Sequence, residues 1–104
     1  MQPELMQAIV DQSCTALPGL QRLVLFGSQA SGQTTPGSDI DLLAVVASVP
    51  AAGPRTLVWH RALAKLRKPF DLLVLTPDEW AAGQRLAGSA VADAANHGQV
   101  LYAA

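Results

Sequence analysis

The sequence has little of what cross-links a chain or holds it in a membrane. Cys14 is the single cysteine among 104 residues, so an internal disulfide is excluded, which suits a reducing cytoplasm. No apolar run approaches the ~20 residues that a membrane helix needs. No basic segment precedes an apolar one at the N-terminus, so no signal peptide is expected. Charged residues are only 14% and the formal net charge is −1, which argues against direct nucleic-acid binding.

Apolar residues, by contrast, make up half of the chain, enough for a compact core. We expect residues 1–104 to form one domain. We also expect Cys14 to be a small core residue, not a nucleophile. The pattern predicts an α/β fold, a small mixed sheet flanked by helices in the order αβαβαβα. The predicted helices are Pro3 to Leu17, Arg55 to Arg67, Pro77 to Leu86 and Ser89 to Asn96, with a helical turn after Gly27 through Ala30. The predicted strands are Arg22–Phe26, Ile40–Ala47, Phe70–Leu75 and a terminal Gln99–Tyr102.

The stretch LFGSQASGQTTPGSDIDLL carries the strongest chemical signal. Its first strand ends in Gly27 and Ser28, where glycine permits a close backbone approach. The Ser28 hydroxyl and the N–H groups that follow could hold a triphosphate at the start of a short helix. The stretch therefore favours a nucleotide site over an ordinary strand-end turn.

Asp39 and Asp41 come at the start of the next strand. Strand side chains alternate between faces, so both carboxylates should lie on one face. Two like charges this close are costly without a cation. A pair of Mg²⁺ ions would relieve that cost and could serve a phosphoryl transfer. The alternative is that Ser38 and Asp39 form a turn and Asp41 is a solvated strand-end acid.

A third acid, Asp71, is second in the strand FDLLVLT. A charge near the start of an apolar strand is uncommon unless it is paired or bound to metal. The alternative is an exposed strand-start acid. If all three acids and Gly27 contact one nucleotide, the strand before Gly27 must be antiparallel to the Asp41 strand. The Asp71 strand must then be parallel to it, joined by a helical crossover.

Three basic residues on the predicted helix after Pro54 form a stripe at i, i+4 and i+7, which we call the basic cluster: Arg61, Lys65 and Lys68. A solvated helix face is one interpretation. A contact surface for an acidic partner or a phosphate is the other. His97 and Tyr102 near the C-terminus are similarly open: each could be functional, but a helix-cap histidine and a packing tyrosine are the favoured interpretations.

Gly27-Ser28, a gap, then Ser38-Asp39-Ile40-Asp41 resembles the signature of the nucleotidyltransferase superfamily that includes DNA polymerase β and the kanamycin nucleotidyltransferases. The chain is most similar to a minimal nucleotidyltransferase, the antitoxin partner of a HEPN-domain toxin. The tail GSAVADAANHGQVLY is similar to the ending of such proteins.

This resemblance implies ATP as substrate, two Mg²⁺ ions and transfer of a nucleoside monophosphate with release of pyrophosphate. It implies Asp39, Asp41 and Asp71 as catalytic metal ligands, with Asp71 able to accept the proton of the attacking hydroxyl. Gly27, Ser28 and Ser38 would bind the nucleotide. The implied acceptor is a tyrosine of the toxin. The chain lacks the extra domain that holds the acceptor in larger relatives, so we expect a second macromolecule to supply it.

The sequence departs from the family pattern at two positions. Gln29 and Ser31 stand where relatives often carry arginine, as in GSRARG. Two hypotheses therefore stand side by side. Either the protein adenylylates its partner, or it neutralises the toxin by binding alone with a weak or inactive site.

Overall fold

The protein is described by a computed structural model that covers residues 2–27, 39–47 and 55–104. Its elements confirm the predicted α/β class. The helical turn predicted after Gly27 lies outside these residues. No helix among the residues described is long and apolar enough to cross a bilayer. In chain order the elements are α1 (Pro3–Ala16), β1 (Leu20–Phe26), β2 (Ile40–Val46), α2 (Arg55–Leu63), β3 (Phe70–Leu75), α3 (Pro77–Gly83), α4 (Ala90–His97) and β4 (Gln99–Ala103).

The four strands form one mixed sheet in the order β3-β2-β1-β4. β1 is antiparallel to β2 and to β4, whereas β2 and β3 are parallel. Both strand directions that the chemistry required are therefore present. The crossover between the parallel strands contains α2, and the predicted terminal strand pairs with β1 at the edge of the sheet.

The sheet is covered on both faces, which explains the unbroken apolar run of β2. The larger core cluster includes Ile9 of α1, Trp59 and Leu63 of α2 and the even-numbered residues of β2. The smaller cluster includes Leu43 and Val45 of β2 with Ala94 of α4, and Trp80 of α3 packs against it. Because strand side chains alternate, odd-numbered positions of β2 face α3 and α4.

The two helices on the larger core are joined by a buried hydrogen bond. Trp59 Nε1 donates to Ser13 Oγ at 2.8 Å, and both side chains are fully buried. The neighbouring Cys14 is exposed, so the prediction of a core cysteine was wrong. Ile9 and Ser13 lie one helical turn apart on the buried face of α1, and residue 14 is rotated away from it. Desolvation and the nearby Asp11 raise the pKa of the Cys14 thiol, which disfavours the nucleophilic thiolate.

The predicted helix from Arg55 to Arg67 ends earlier. Regular α-helix stops at Leu63, a 3₁₀ turn spans Ala64–Leu66, and Arg67 is left-handed with φ of 55°. The residues of the basic cluster are exposed. Because the α-helix ends within the cluster, they do not form one stripe on an α-helix. The prediction of a single helical stripe was wrong because the chain changes helix type within it.

The predicted capping box at the start of α3 is confirmed. Thr76 Oγ1 accepts from the Glu79 N–H, and the Glu79 carboxylate accepts from the Thr76 N–H. α3 ends at Gly83 instead of Leu86. There Ser89, the N-cap of α4, donates its hydroxyl to the Gly83 carbonyl at 2.9 Å. This bond stabilises the short connection between the two helices.

Candidate active site

The glycine at the end of β1 makes room for a carboxylate. Gly27 has φ of +70°, a left-handed conformation that other residues adopt only with strain. A Cβ built on Gly27 would collide with the Asp41 carboxylate. Glycine is therefore required both by the backbone turn and by the close approach of β2.

Strand register brings two of the predicted acids side by side. Asp41 pairs with Phe26 of β1 on one side and with Asp71 of β3 on the other. Both acids occupy odd-numbered positions on parallel neighbours, so they share the face covered by α3 and α4. Asp39 lies just before β2 and is exposed. The pairing places Gly27, Asp41 and Asp71 at one end of the sheet.

The electrostatics show that these acids are close. Partial burial raises the pKa of Asp41, and the charges of Asp71, Asp39 and Asp93 raise it further, in that order. Like charges that surround a carboxylate disfavour its ionised form. A cation at this end of the sheet would remove that repulsion.

The donor set has the chemistry that Mg²⁺ requires. The described residues hold no group of three or more His, Cys, Asp or Glu side chains placed to bind a metal, so the three-acid site stays a prediction. Mg²⁺ typically binds one or two carboxylates together with substrate phosphates and water. The neighbouring acids Asp41 and Asp71 fit that smaller requirement.

The other predicted nucleotide contacts fall outside the described residues. Ser28 and Ser38 lie there, as do Gln29 and Ser31, which replace the arginines of the family pattern. Their roles remain predictions from the sequence.

An open cleft adjoins Gly27 and Asp41, with a volume of about 860 Å³. The α3–α4 connection and one face of α4 also line it, with polar residues that include Arg85, Asp93, Asn96 and His97. Sequence reasoning missed the first three and favoured a cap role for His97. The spacing of the α4 residues at i, i+3 and i+4 would have indicated a shared helix face, but only the fold shows what that face meets.

A glycine turn, adjacent carboxylates and a cleft of nucleotide size are the features of a phosphoryl-transfer protein. The chain belongs to the nucleotidyltransferase domain family, whose sequence model matches residues 7–100. No curated protein sequence matches the chain.

Similar solved structures share this fold. One is a toxin–antitoxin complex with AMP-PNP, with a TM-score of 0.72 and 22% identity over 95% of this chain and 73% of that one. Another is the Shewanella oneidensis tri-AMPylated HEPN toxin in complex with MNT antitoxin, with a TM-score of 0.65 and 21% identity over 100% of this chain and 74% of that one. A third is a Sulfolobus solfataricus protein proposed to be a nucleotidyltransferase, with a TM-score of 0.61 and 21% identity over 96% of this chain and 78% of that one. At such identities the likeness shows the fold alone.

Proposed function

We propose that this protein is a Mg²⁺-dependent nucleotidyltransferase that transfers AMP from ATP to a tyrosine hydroxyl of a partner HEPN toxin, and so acts as its antitoxin. Residues 1–104 would act as one domain, in the cytoplasm, where the exposed Cys14 stays reduced. The observation that carries the proposal is the meeting of Gly27, Asp41 and Asp71 at one end of the sheet beside an open cleft.

The similar structures support the identity of the nucleotide and the partner. One of them contains a toxin–antitoxin pair with an ATP analogue, and another contains a HEPN toxin that carries AMP groups. These facts belong to those proteins. Combined with family membership and the geometry of the site, they favour ATP and a HEPN toxin as the substrates of this chain.

The proposed reaction exchanges one phosphorus–oxygen bond for another. The tyrosine oxygen attacks the α-phosphorus of ATP, and the bond to the bridging oxygen breaks, so pyrophosphate leaves. Asp71 accepts the tyrosine proton. The turn at Gly27 lets the triphosphate approach the backbone, while Asp41 orients the reacting end. Such transfers depend mainly on positioning and electrostatics.

Asp41 and Asp71, with Asp39 just before β2, would hold the magnesium ions. When bound, Mg²⁺ would neutralise the phosphate charge and lower the pKa of the attacking hydroxyl. This assignment agrees with the raised pKa of Asp41, which partial burial raises first and the charges of Asp71, Asp39 and Asp93 raise further.

Arg85 bears on the alternative hypothesis of a toxin-binding protein without activity. That alternative rests on Gln29 and Ser31, which supply no charge where relatives often have arginine. Arg85 lines the same cleft as Gly27 and Asp41, so a cation does border the proposed site. We propose that Arg85 offsets part of the triphosphate charge.

Intact-mass spectrometry of the toxin tests the activity. With ATP and Mg²⁺, wild-type protein should add the mass of AMP to the toxin. Asp41→Asn should slow the addition by about a thousandfold or more, because it removes charge from the proposed metal site. Asp11→Asn is the matched control, since Asp11 is exposed on α1, on the other side of the sheet.

Two outcomes would contradict the proposal. If wild-type protein adds no mass yet still blocks toxicity, the alternative of neutralisation by binding stands. If Asp41→Asn modifies the toxin as fast as the wild type, the assignment of Asp41 is wrong. Co-purification of toxin with Asp41→Asn would show that complex formation survives the substitution.

A further inference from the structure

We propose that the α4 wall of the cleft is the nucleoside subsite, where Asn96 and His97 recognise adenine and Asp93 accepts hydrogen bonds from the ribose hydroxyls. The inference rests on the proposed nucleotidyl transfer and deepens it, because it assigns the residues that select the nucleotide. These residues lie outside the signature formed by Gly27-Ser28 and Ser38-Asp39-Ile40-Asp41, within the tail whose likeness to the family was noted above.

The position of the cleft points to the nucleotide and not to the acceptor. Gly27 and Asp41 line it, whereas Asp71, the proposed proton acceptor, does not. The cleft therefore opens on the triphosphate side of the carboxylates. Its volume of about 860 Å³ lies within the usual range for small-molecule sites, large enough for a whole nucleotide.

The α4 helix presents a polar face to this cleft. Asp93, Asn96 and His97 are at i, i+3 and i+4, so they share one side of the helix. All three are exposed, while Ala92 and Ala94 are buried. Packing against the sheet thus uses the alanines and leaves the polar side chains available to a ligand.

The chemistry of this face suits a nucleoside better than a phosphate chain. An asparagine amide offers one donor and one acceptor, the pair that adenine matches with N7 and its N6 amino group. A histidine ring can stack on a base. Asp93 is close enough to raise the pKa of Asp41, and a carboxylate there would repel phosphate but accept hydrogen bonds from hydroxyl groups.

A structural role must be separated from recognition, because His97 is the last residue of α4 and a cation there interacts favourably with the helix dipole. Base discrimination supplies that separation. A purely structural change would weaken all ligands alike, whereas loss of a base contact would weaken ATP and spare a ligand that has phosphates alone.

The test is calorimetric titration with ATP, GTP and inorganic tripolyphosphate, each in Mg²⁺. Asn96→Ala and His97→Ala should each weaken ATP binding about five- to a hundredfold, the loss expected for a bidentate hydrogen-bonded pair or one stacking contact. Tripolyphosphate binding should not change. Asn96→Ala also removes the amide oxygen that accepts from the adenine N6 amino group and would oppose guanine O6, so it should lower the preference for ATP over GTP. His60→Ala is the matched control, since His60 is exposed on α2 across the sheet.

The outcomes distinguish this inference from the proposed function. If the wild type binds neither ATP nor tripolyphosphate, both fail. If it binds ATP no more tightly than tripolyphosphate, or if the variants weaken the two ligands in parallel, the nucleoside subsite is refuted while AMP transfer to the toxin still stands on its own assay. An unchanged ratio of ATP affinity to GTP affinity in Asn96→Ala would refute the role of Asn96.

Discussion

Replacing Gly27 by alanine should destabilise the fold and disturb the site, for two separable reasons: backbone strain and overlap with the Asp41 carboxylate. A non-glycine residue in the left-handed region costs roughly 1–2 kcal/mol, and Gly27 has φ of +70°. The added Cβ also overlaps the Asp41 carboxylate, and overpacking of this kind typically costs about 1–3 kcal/mol. The free energy of unfolding should fall by about 2–5 kcal/mol in total. The free energy of unfolding of small domains is typically about 5–15 kcal/mol. It exceeds this loss except where the lowest stability meets the largest loss, so we expect the variant to remain folded.

Gly19 supplies the matched control at the other end of β1. Its φ is +80°, but a Cβ there meets only Ala47, at 3.6 Å, which is ordinary contact. Gly19→Ala should therefore cost only the backbone strain of about 1–2 kcal/mol. Urea denaturation measures both free energies of unfolding. Toxin modification followed by mass spectrometry measures activity, which should be lost in Gly27→Ala and kept in Gly19→Ala.

A double-variant cycle isolates the overlap. In an Asp41→Ala background the Cβ of residue 41 remains 3.5 Å from the added Cβ, and the colliding carboxylate is gone. Gly27→Ala should then cost no more than Gly19→Ala does. If its cost is the same in both backgrounds, the close approach of Gly27 to the Asp41 carboxylate is not what requires glycine, and the reasoning fails.

Three further predictions concern stability and association. Thr76→Ala should lower the free energy of unfolding by about 1 kcal/mol through loss of the capping box. Hydrogen bonds from Thr76 lower the pKa of Glu79 below its ordinary 4.5, so the contribution of Glu79 to stability should be complete above pH 4.5 and disappear as the pH falls through the lowered pKa. Acid titration of the wild type and of Glu79→Gln would check this. Trp59→Phe should lower the free energy of unfolding by about 1–3 kcal/mol beyond any packing loss, because it leaves the buried Ser13 hydroxyl unpaired. Adding Ser13→Ala should recover part of that free energy, as measured by urea denaturation. Changing the basic cluster to glutamates should slow association with the toxin and weaken its salt dependence in stopped-flow measurements; unchanged rates would indicate a solvated surface.

Much of the architecture follows from local signals in the sequence. Proline and glycine pairs interrupt the chain where elements end, and Thr76 with Glu79 marks a helix start within four residues. The alternation of β3 places Asp71 on the face of Leu73 and Leu75 before any partner strand is known. The relative direction of β1 and β2 could also be inferred. Gly27 at the end of β1 and the acids Asp39 and Asp41 at the start of β2 can contact one nucleotide only if the two strands are antiparallel.

Helix ends were less predictable from local pattern. The apolar and basic residues between Arg55 and Lys68 continue a helical spacing, yet the α-helix stops at Leu63. Hydrophobic periodicity does not distinguish an α-helix from the 3₁₀ turn that follows it, since the rotation per residue is similar. The exposure of Cys14 depends likewise on which face of α1 meets Trp59. That face is set by the contact of Ser13 with Trp59, which lies 46 residues further along the chain.

The sequence by itself predicts which acids belong to the site, and it determined the glycine at the end of β1 and the alternation of side chains along each strand, because each depends on residues within a few positions of one another. Only the tertiary structure decided that Asp41 lies between Phe26 and Asp71, and that the polar face of α4 meets the same cleft. Strand register and helix docking are set by packing between segments far apart in the chain, so no local periodicity contains them.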